Sequence, residues 1–421
     1  MQFDRSRLLI GAYYFTDSFH DEAHVKEIAD CGIDFLVSAK AAPNLLSLLE
    51  KYHIGLFTHS NFTMWWGGDG SKAGQYSTFM PVEEFEALAP THVSGDALFG
   101  DYLVDEPSSK DFKHIQKIVD QYRRLFPDKF PYINLYPNYA SIPSNTSDQK
   151  VSQLGNASYA EHIDQYVNEL DLDYICYDFY PFTGCFDTYI ENFDIVARAC
   201  RKNKKDMWVI IQTGAWKKEA MIAEFQIRWQ AYMALVYGAA IIMHACYCQG
   251  WWDEHTSCLN LKGEKNPTWN YAESINRELH ALGPVFMKYR NTGVYGAGDL
   301  TRSCKEIKEQ LERQNAQSSD SAFNDRVTIS ADGAVLTGYF TAKPELEQEK
   351  SSALMLVNTN NPFDGTESGR LRVALCFDAK AVPASAVVTA YIKGLPQRLT
   401  LNQDDAALLT LESGEGVFVT F

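Results

Sequence analysis

Gly100-Asp101-Tyr102-Leu103-Val104-Asp105-Glu106-Pro107 is a short apolar run that stops on two carboxylates and a proline. Its body, Gly100–Val104, has the length and composition of a buried strand. Pro107, with no amide hydrogen to donate, ends it and stiffens the turn. The amphipathic run Phe112–Phe126 follows. The same pairing recurs on either side. Strand-like runs lie upstream at Leu8–Tyr14, Phe35–Ser38 and Ile54–Thr58, and downstream at Tyr132–Leu135, Tyr174–Tyr177, Met207–Ile211 and Ala239–His244. Helical stretches alternate with them at Glu22–Cys31, Asn44–Tyr52, Val82–Leu88, Tyr159–Leu170, Phe186–Cys200, Ala220–Tyr237 and Tyr271–Tyr289. Eight mostly continuous apolar strands, each followed by a helix, indicate a parallel sheet covered by helices. Eight units in roughly 280 residues predict an α/β fold of the (β/α)8 TIM-barrel type. A doubly wound nucleotide fold is disfavoured, since Gly11-Ala12-Tyr13-Tyr14 after the first strand matches no glycine fingerprint and no phosphate loop appears.

Beyond the barrel the pattern changes. Glu309–Asn324 is polar and reads as a linker or exposed loop. After it come short strand-like runs at Val335–Thr341, Leu354–Asn358, Leu371–Phe377, Val387–Ile392 and Gly416–Phe421. The expected organisation is a barrel over 1–295, a linker or exposed loop over 296–325, and a small C-terminal antiparallel β-sandwich over 326–421.

Composition removes several classes of function. Against 38 Lys and Arg stand 54 Asp and Glu, a net charge of -16, which repels phosphate backbones and anionic lipid. Nucleic acid and membrane are therefore not expected partners. The apolar runs are strand-sized, well short of the roughly 20 residues of a membrane span. Nine scattered cysteines without a CxxC, and an N-terminus lacking a signal-peptide core, point to a cytoplasmic protein with reduced thiols. His20, His59 and His244 lie near strand ends, but with no HxH or HExxH spacing no metal or other cofactor is expected. Lys202, Lys204 and Lys205 read as the solvated cationic end of a helix.

In this architecture chemistry gathers at the C-terminal ends of the strands. Those ends carry Tyr14, His59, Asp105-Glu106, Asn134 and Asn138, Asp178 and Tyr180, Gln212, Trp216 and Trp251. So many groups that are costly to desolvate exceed what a rim built for stability needs. Glu106 is the sharpest candidate. A carboxyl at a buried strand end, beside Asp105, is expected to hold its proton at neutral pH, as a general acid must. The competing reading is an acidic cap on the helix that follows. Asp178 is the second carboxylate able to face the mouth, with a hydrogen-bonded support role as its alternative. Trp65-Trp66, Trp216 and Trp251-Trp252 fall in rim loops, where flat rings suit flat sugar faces.

Gly100–Pro107, Tyr132-Ile-Asn-Leu-Tyr-Pro-Asn-Tyr139, Tyr177-Asp-Phe-Tyr-Pro181 and Arg228-Trp-Gln-Ala-Tyr-Met-Ala-Leu-Val-Tyr-Gly238 together resemble a group of bacterial glycoside-hydrolase-like barrels. The resemblance spans roughly the first 290 residues, about one barrel's length. It implies that Glu106 is the acid/base. In the large retaining clan of such barrels a second Glu ends strand seven; this sequence departs there, with Gln212 in that neighbourhood. The adjacent pair Asp105-Glu106 is also similar to barrels that cleave N-acetylhexosaminides by substrate assistance. By the same analogy, the C-terminal segment is similar to the β-sandwich appended to many glycosidases.

The expectation is a cytoplasmic glycoside hydrolase acting on small oligosaccharides or glycosides. Glu106 is the proton donor, with Asp105 or Asp178 as partner carboxylate. Tyr14, His59, Asn134, Asn138, Tyr180, Gln212, Trp216 and Trp251 bind the carbohydrate. The rivals are a sugar-binding barrel that has lost its nucleophile, motivated by Gln212, and a metal-dependent barrel, motivated by the rim histidines.

Overall fold

Seven parallel ladders and one bridge join eight strands in chain order around a ring. The strands are β1 (Leu9–Tyr13), β2 (Phe35–Ala39), β3 (Gly55–Thr58), β4 (Leu98–Asp105), β5 (Phe130–Asn134), β6 (Tyr174–Phe179), β7 (Asp206–Gln212) and β8 (Ala239–Ala245). Each pairs with its neighbour, and β8 returns to β1 with Leu9 opposite Ile241. Between β5 and β6 the ring closes through the single bridge Leu135–Tyr177, where the Leu135 amide donates to the Cys176 carbonyl at 2.9 Å. The expected (β/α)8 barrel is therefore present. This computed structural model describes residues 3–144, 152–317, 326–344, 351–363, 369–380, 382, 387–402 and 406–421.

Helices cover the ring as the periodicity requires. In Phe112–Leu125 the buried residues are Phe112, Ile115, Ile118, Val119 and Tyr122, one stripe at helical spacing. Inside the barrel, aromatic rings form a floor. Phe3 enters from below and packs edge-on against Phe57 at 5.2 Å and Trp208 at 5.5 Å, with Phe99 and Phe130 beside it. Above it Tyr13, Tyr102 and Tyr132 form a second layer, with Tyr102 and Tyr132 at 4.9 Å. Anything polar at the C-terminal mouth thus rests on a dry aromatic stack.

The C-terminal part is two antiparallel sheets. One runs in the order Tyr289–Gly298, Ala334–Ala342, Ser352–Asn358, Gly416–Thr420, Thr389–Ile392, Leu395–Arg398; the other Val327–Ala331, Leu371–Phe377, Ala406–Leu411. Alternation splits the first sheet between two cores. Leu354 and Leu356 face the second sheet, while Ala353, Met355 and Phe418 join the barrel core. Close approach needs Gly338: a Cβ there would lie 2.2 Å from the carbonyl oxygen of Val236, in the helix Glu224–Val236.

The expected linker differs from what its described residues show. Tyr289–Gly298 is a strand of the first sheet and runs across position 295. Lys305–Gln317 is a helix, with Ile307 and Leu311 fully buried. Its apolar residues are sparse in a very polar sequence, so burial at a few positions was masked by composition. Residues 318–325 of that segment lie outside the described residues.

Substituting Gly338→Ala forces a methyl against a helix carbonyl. Overpacking of this kind costs about 1–3 kcal/mol. Urea unfolding is expected to report a loss in that range; an unchanged midpoint would mean that the sheet does not bear on the helix.

Candidate active site

Three carboxylates converge at the barrel mouth, and one amide ties two of them. Asn134, at the end of β5, donates from Nδ2 to Asp105 Oδ1 at 3.1 Å and to Asp178 Oδ1 at 2.7 Å. Its Oδ1 accepts from the Cys176 thiol at 3.5 Å. Behind Cys176 the Tyr132 hydroxyl lies at 3.1 Å from the sulfur, and Tyr13 and Tyr132 hydroxyls are 2.6 Å apart. One direction of donation satisfies the whole chain: Tyr13 to Tyr132, to Cys176, to Asn134, and then to the two aspartates.

A bulge places Asp105 in this group. Tyr102 pairs with Tyr132 but Val104 with Ile133, so β4 holds one residue more than its partner at this point. Strict alternation from the outward Asp101, whose carboxylate is bonded by His92 at 2.8 Å and Tyr122 at 2.7 Å, would turn Asp105 outward too. The extra residue returns Asp105 to the inner face beside Tyr102.

Glu106 is fixed by different means. It takes a left-handed backbone, φ 50, and its amide donates to the Asn134 carbonyl at 2.8 Å. The two-residue strand Trp65–Trp66 pairs with Val104 and Asp105, and the Trp66 indole N–H donates to Glu106 Oε2 at 2.9 Å. Gly67 makes this approach possible, since a Cβ there would sit 1.7 Å from the Glu106 carbonyl oxygen. Tyr14 (φ 66) and Ser38 (φ 63) are also left-handed at strand ends on this rim. Strained non-glycine residues collect where geometry is held for a purpose.

Burial over the aromatic stack dominates the electrostatics. It pushes the Asp105 carboxyl up to about 6 against hydrogen bonds from Tyr102 and Asn134. Asp178 is pushed to about 7 by burial and by the charge of Asp105. Glu106 is raised well above the ordinary range by burial, then Asp178, then Asp105, with the Trp66 hydrogen bond opposing. Burial and the two neighbouring carboxylates thus favour the protonated form of Glu106.

Around these groups Trp66, Trp216, Trp251, Tyr14 and Tyr139 stay exposed. Tyr180 lies tilted to Trp251 at 6.0 Å and edge-on to Trp252 at 5.2 Å, next to Asp178. His59, at the end of β3, is bonded through Nδ1 to Ser38 at 3.2 Å. Burial lowers its pKa, with Asp17 opposing. Among the described residues no group of three or more His, Cys, Asp and Glu is placed to hold a metal ion.

Two expected carbohydrate ligands are turned elsewhere. Gln212 is fully buried; its Oε1 accepts from the Phe182 amide at 2.9 Å and its Nε2 donates to the Gly214 carbonyl at 3.0 Å. Asn138 donates from its side chain to the Thr188 carbonyl at 3.1 Å, and from its amide to Asn192 Oδ1 at 2.7 Å. Both hold loops. Conversely Cys176 and Tyr102 bond to the site's polar groups, although apolar-looking strand residues carry no sign of a polar partner in the sequence. Tyr139 of the strand-five motif also borders the site, its hydroxyl pKa pushed up by burial and by the nearby Asp178 and Glu106.

No family model matches the chain, and no curated protein matches its sequence. Solved structures do. A β-galactosidase from Bacillus circulans sp. alkalophilus aligns over 99% of this chain and 99% of its own, at 9% identity and a TM-score of 0.54. What the two share is the fold. A putative α-L-fucosidase from Bacteroides thetaiotaomicron covers 66% of this chain and 97% of its own, at 9% identity and a TM-score of 0.44. Xylanase 10B from Thermotoga maritima covers 65% and 95%, at 10% identity and a TM-score of 0.42.

Raised carboxyl pKa values make the native state bind protons more tightly than the unfolded chain. Their stabilising effect is complete below the unfolded value near 3.8 and is lost as pH rises through about 7 for Asp178. Asp178→Asn removes that loss. Its melting temperature is expected to exceed the wild type's by about 3 °C or more at pH 8, with the gap closing toward pH 4. A gap independent of pH would show that Asp178 is ionised without penalty.

Proposed function

We propose that the chain is a glycoside hydrolase in which Glu106 is the general acid. The observation that carries this reading is a carboxyl with its pKa raised by burial, bonded by the Trp66 indole at the barrel mouth, beside two aspartates on one amide. The Glu106 proton passes to the glycosidic oxygen as the bond from that oxygen to the anomeric carbon breaks, so the leaving group departs neutral. Positive charge then develops at the anomeric carbon and ring oxygen. Asp178, ionised and across the mouth on β6, stabilises it; Asp105 keeps Asn134 and Glu106 in register. Water adds to the anomeric carbon and gives its proton to a waiting carboxylate. Trp66, Trp216 and Trp251 offer flat faces to sugar rings, and Tyr14, Tyr180 and His59 offer polar edges.

A second reading is favoured by one observation: no carboxylate ends β7, where the Gln212 amide is occupied by the protein itself. On an N-acetylhexosaminide the substrate's own acetamido oxygen attacks the anomeric carbon. The aspartates then orient the acetamido group and Glu106 again protonates the leaving oxygen. The nine cysteines are all unpaired, which supports a reducing, cytoplasmic setting for either reaction.

The test is nitrophenol release from α- and β-glycosides, N-acetylhexosaminides included. Glu106→Gln is expected to lower kcat by about 10²–10⁴ on a substrate with a poor leaving group. It should lower kcat far less on a dinitrophenyl glycoside, which needs no proton. Wild-type kcat/KM is expected to fall at alkaline pH as Glu106 loses its proton, and at acid pH as Asp178 gains one. Turnover unchanged in Glu106→Gln on both substrates would remove Glu106 from the mechanism. Activity confined to N-acetyl sugars would select the second reading.

A further inference from the structure

At the opposite end of the barrel, beneath the first residues of β7 and β8, lies a cleft of about 280 Å³. Its lining includes Arg201, Lys204, Lys205, Arg290 and Lys343, with Asp206 the single acid. In a chain of net charge -16 this is a local reversal of sign. Asp206 does not cancel it, because its carboxylate is taken by Arg5 at 2.6 Å. Lys205 is also spoken for, its ammonium donating to the Leu172 carbonyl. Among the described residues, none of Arg201, Lys204, Arg290 or Lys343 forms an ion pair within 4.0 Å.

Arg201 is the most constrained of the four. Its guanidinium donates to Asn291 Oδ1 at 2.8 Å, and Asn291 is itself pinned by donating to the Val236 carbonyl at 2.9 Å. The nearby Asp194 is paired with Arg198 at 2.8 Å. A partly buried guanidinium with one recorded acceptor leaves most of its donors to be met from the cleft. Compensation of a helix dipole explains Arg201 and Lys204, which follow one another at the end of Tyr189–Asn203. It does not explain Arg290 and Lys343, which come from the strand Tyr289–Gly298 and from the end of Ala334–Ala342. Basic residues of three separate elements thus line one space.

We propose that this cleft binds a small phosphate monoester. A phosphate monoester carries about two negative charges at neutral pH and three acceptor oxygens, which matches a cluster of unpaired cations. The cleft exceeds what a bare phosphate fills, and its floor of Met207, Tyr237, Phe286 and Phe340 gives the carbon skeleton an apolar seat. A polyanionic polymer is disfavoured, because beyond the cleft it meets the acidic remainder of the surface. The cleft joins the barrel strands to the C-terminal sheet, so an occupant also ties those two parts together.

The test uses calorimetric titration of the full chain with glucose 6-phosphate in low-salt buffer, with glucose as the uncharged comparison. Glucose 6-phosphate is expected to bind, to raise the melting temperature, and to weaken as salt is added; glucose is expected not to bind. The double variant Arg290→Gln/Lys343→Gln, at positions with no recorded structural bond from the side chain, is expected to weaken binding at least tenfold while melting like the wild type without ligand. Arg201→Gln is expected to weaken it too, but its bond to Asn291 makes the double variant the deciding one. Absence of binding to wild type, or binding undiminished in the double variant, would overturn the proposal.

Discussion

Everything at the mouth of this barrel depends on one amide having only one orientation. Asn134 can donate to two aspartates only if its oxygen points away from them, and Cys176 supplies the donor that keeps it so. The thiol is in turn met by Tyr132, which is met by Tyr13. A flipped amide would set a carbonyl oxygen against two carboxylates above a dry aromatic floor, where such a clash is barely screened. The hydroxyl–thiol relay is therefore less a proton path than a lock on polarity. Because the lock sits on β1, β5 and β6 together, it requires a closed ring, and the single bridge between β5 and β6 lies one residue beyond Asn134.

The same floor that isolates the carboxylates makes them unfavourable to the fold. Burying Asp105, Glu106 and Asp178 together opposes ionisation of each, and strained backbone at Tyr14, Ser38 and Glu106 adds to the cost. A chain selected for stability alone would place amides or apolar groups there. The compensation is spread through the core: Phe3 plugging the barrel, the aromatic layers above it, and a β-sheet buried on both faces. A site of this kind is tolerated only because the rest of the molecule overdetermines it.

The barrel was legible in the sequence because parallel strands covered on both sides must be apolar throughout, and each strand was separated from the next by a helix of proper period. The rim residues followed from that, since strand ends define the mouth. What sequence could not convey was side-chain direction. Period two applied to Asp101-Tyr102-Leu103-Val104-Asp105 sends Asp105 outward; only the bulge, a property of how β4 meets β5, turns it in. Polar residues at strand ends, such as Asn138 and Gln212, look alike in sequence whether they face a substrate or a neighbouring loop. The helix Lys305–Gln317 resembles a linker in sequence because a helix that buries few residues looks like solvent-exposed chain.

Gln212 shows why such a misreading is informative. Its backbone is held on both sides by the Gln230 side chain, at 2.9 and 2.8 Å, and its own side chain holds the Phe182 amide. Phe182 belongs to the loop that begins just after Asp178 and Tyr180. The rings of Phe182 and Phe186 meet Phe363 from the C-terminal part at 5.7 and 4.8 Å, and Gln226 donates to the Pro362 carbonyl at 3.1 Å. The helix Glu224–Val236 thus fastens the loop after β6 from one side while the C-terminal segment covers it from the other. A structural amide thus stands at the end of β7, and the loop it fastens is the one that follows Asp178. Burial of Gln212 at the end of β7 and the placement of Asp178 at the end of β6 are then two sides of one arrangement, in which an amide holds the loop beside the acid.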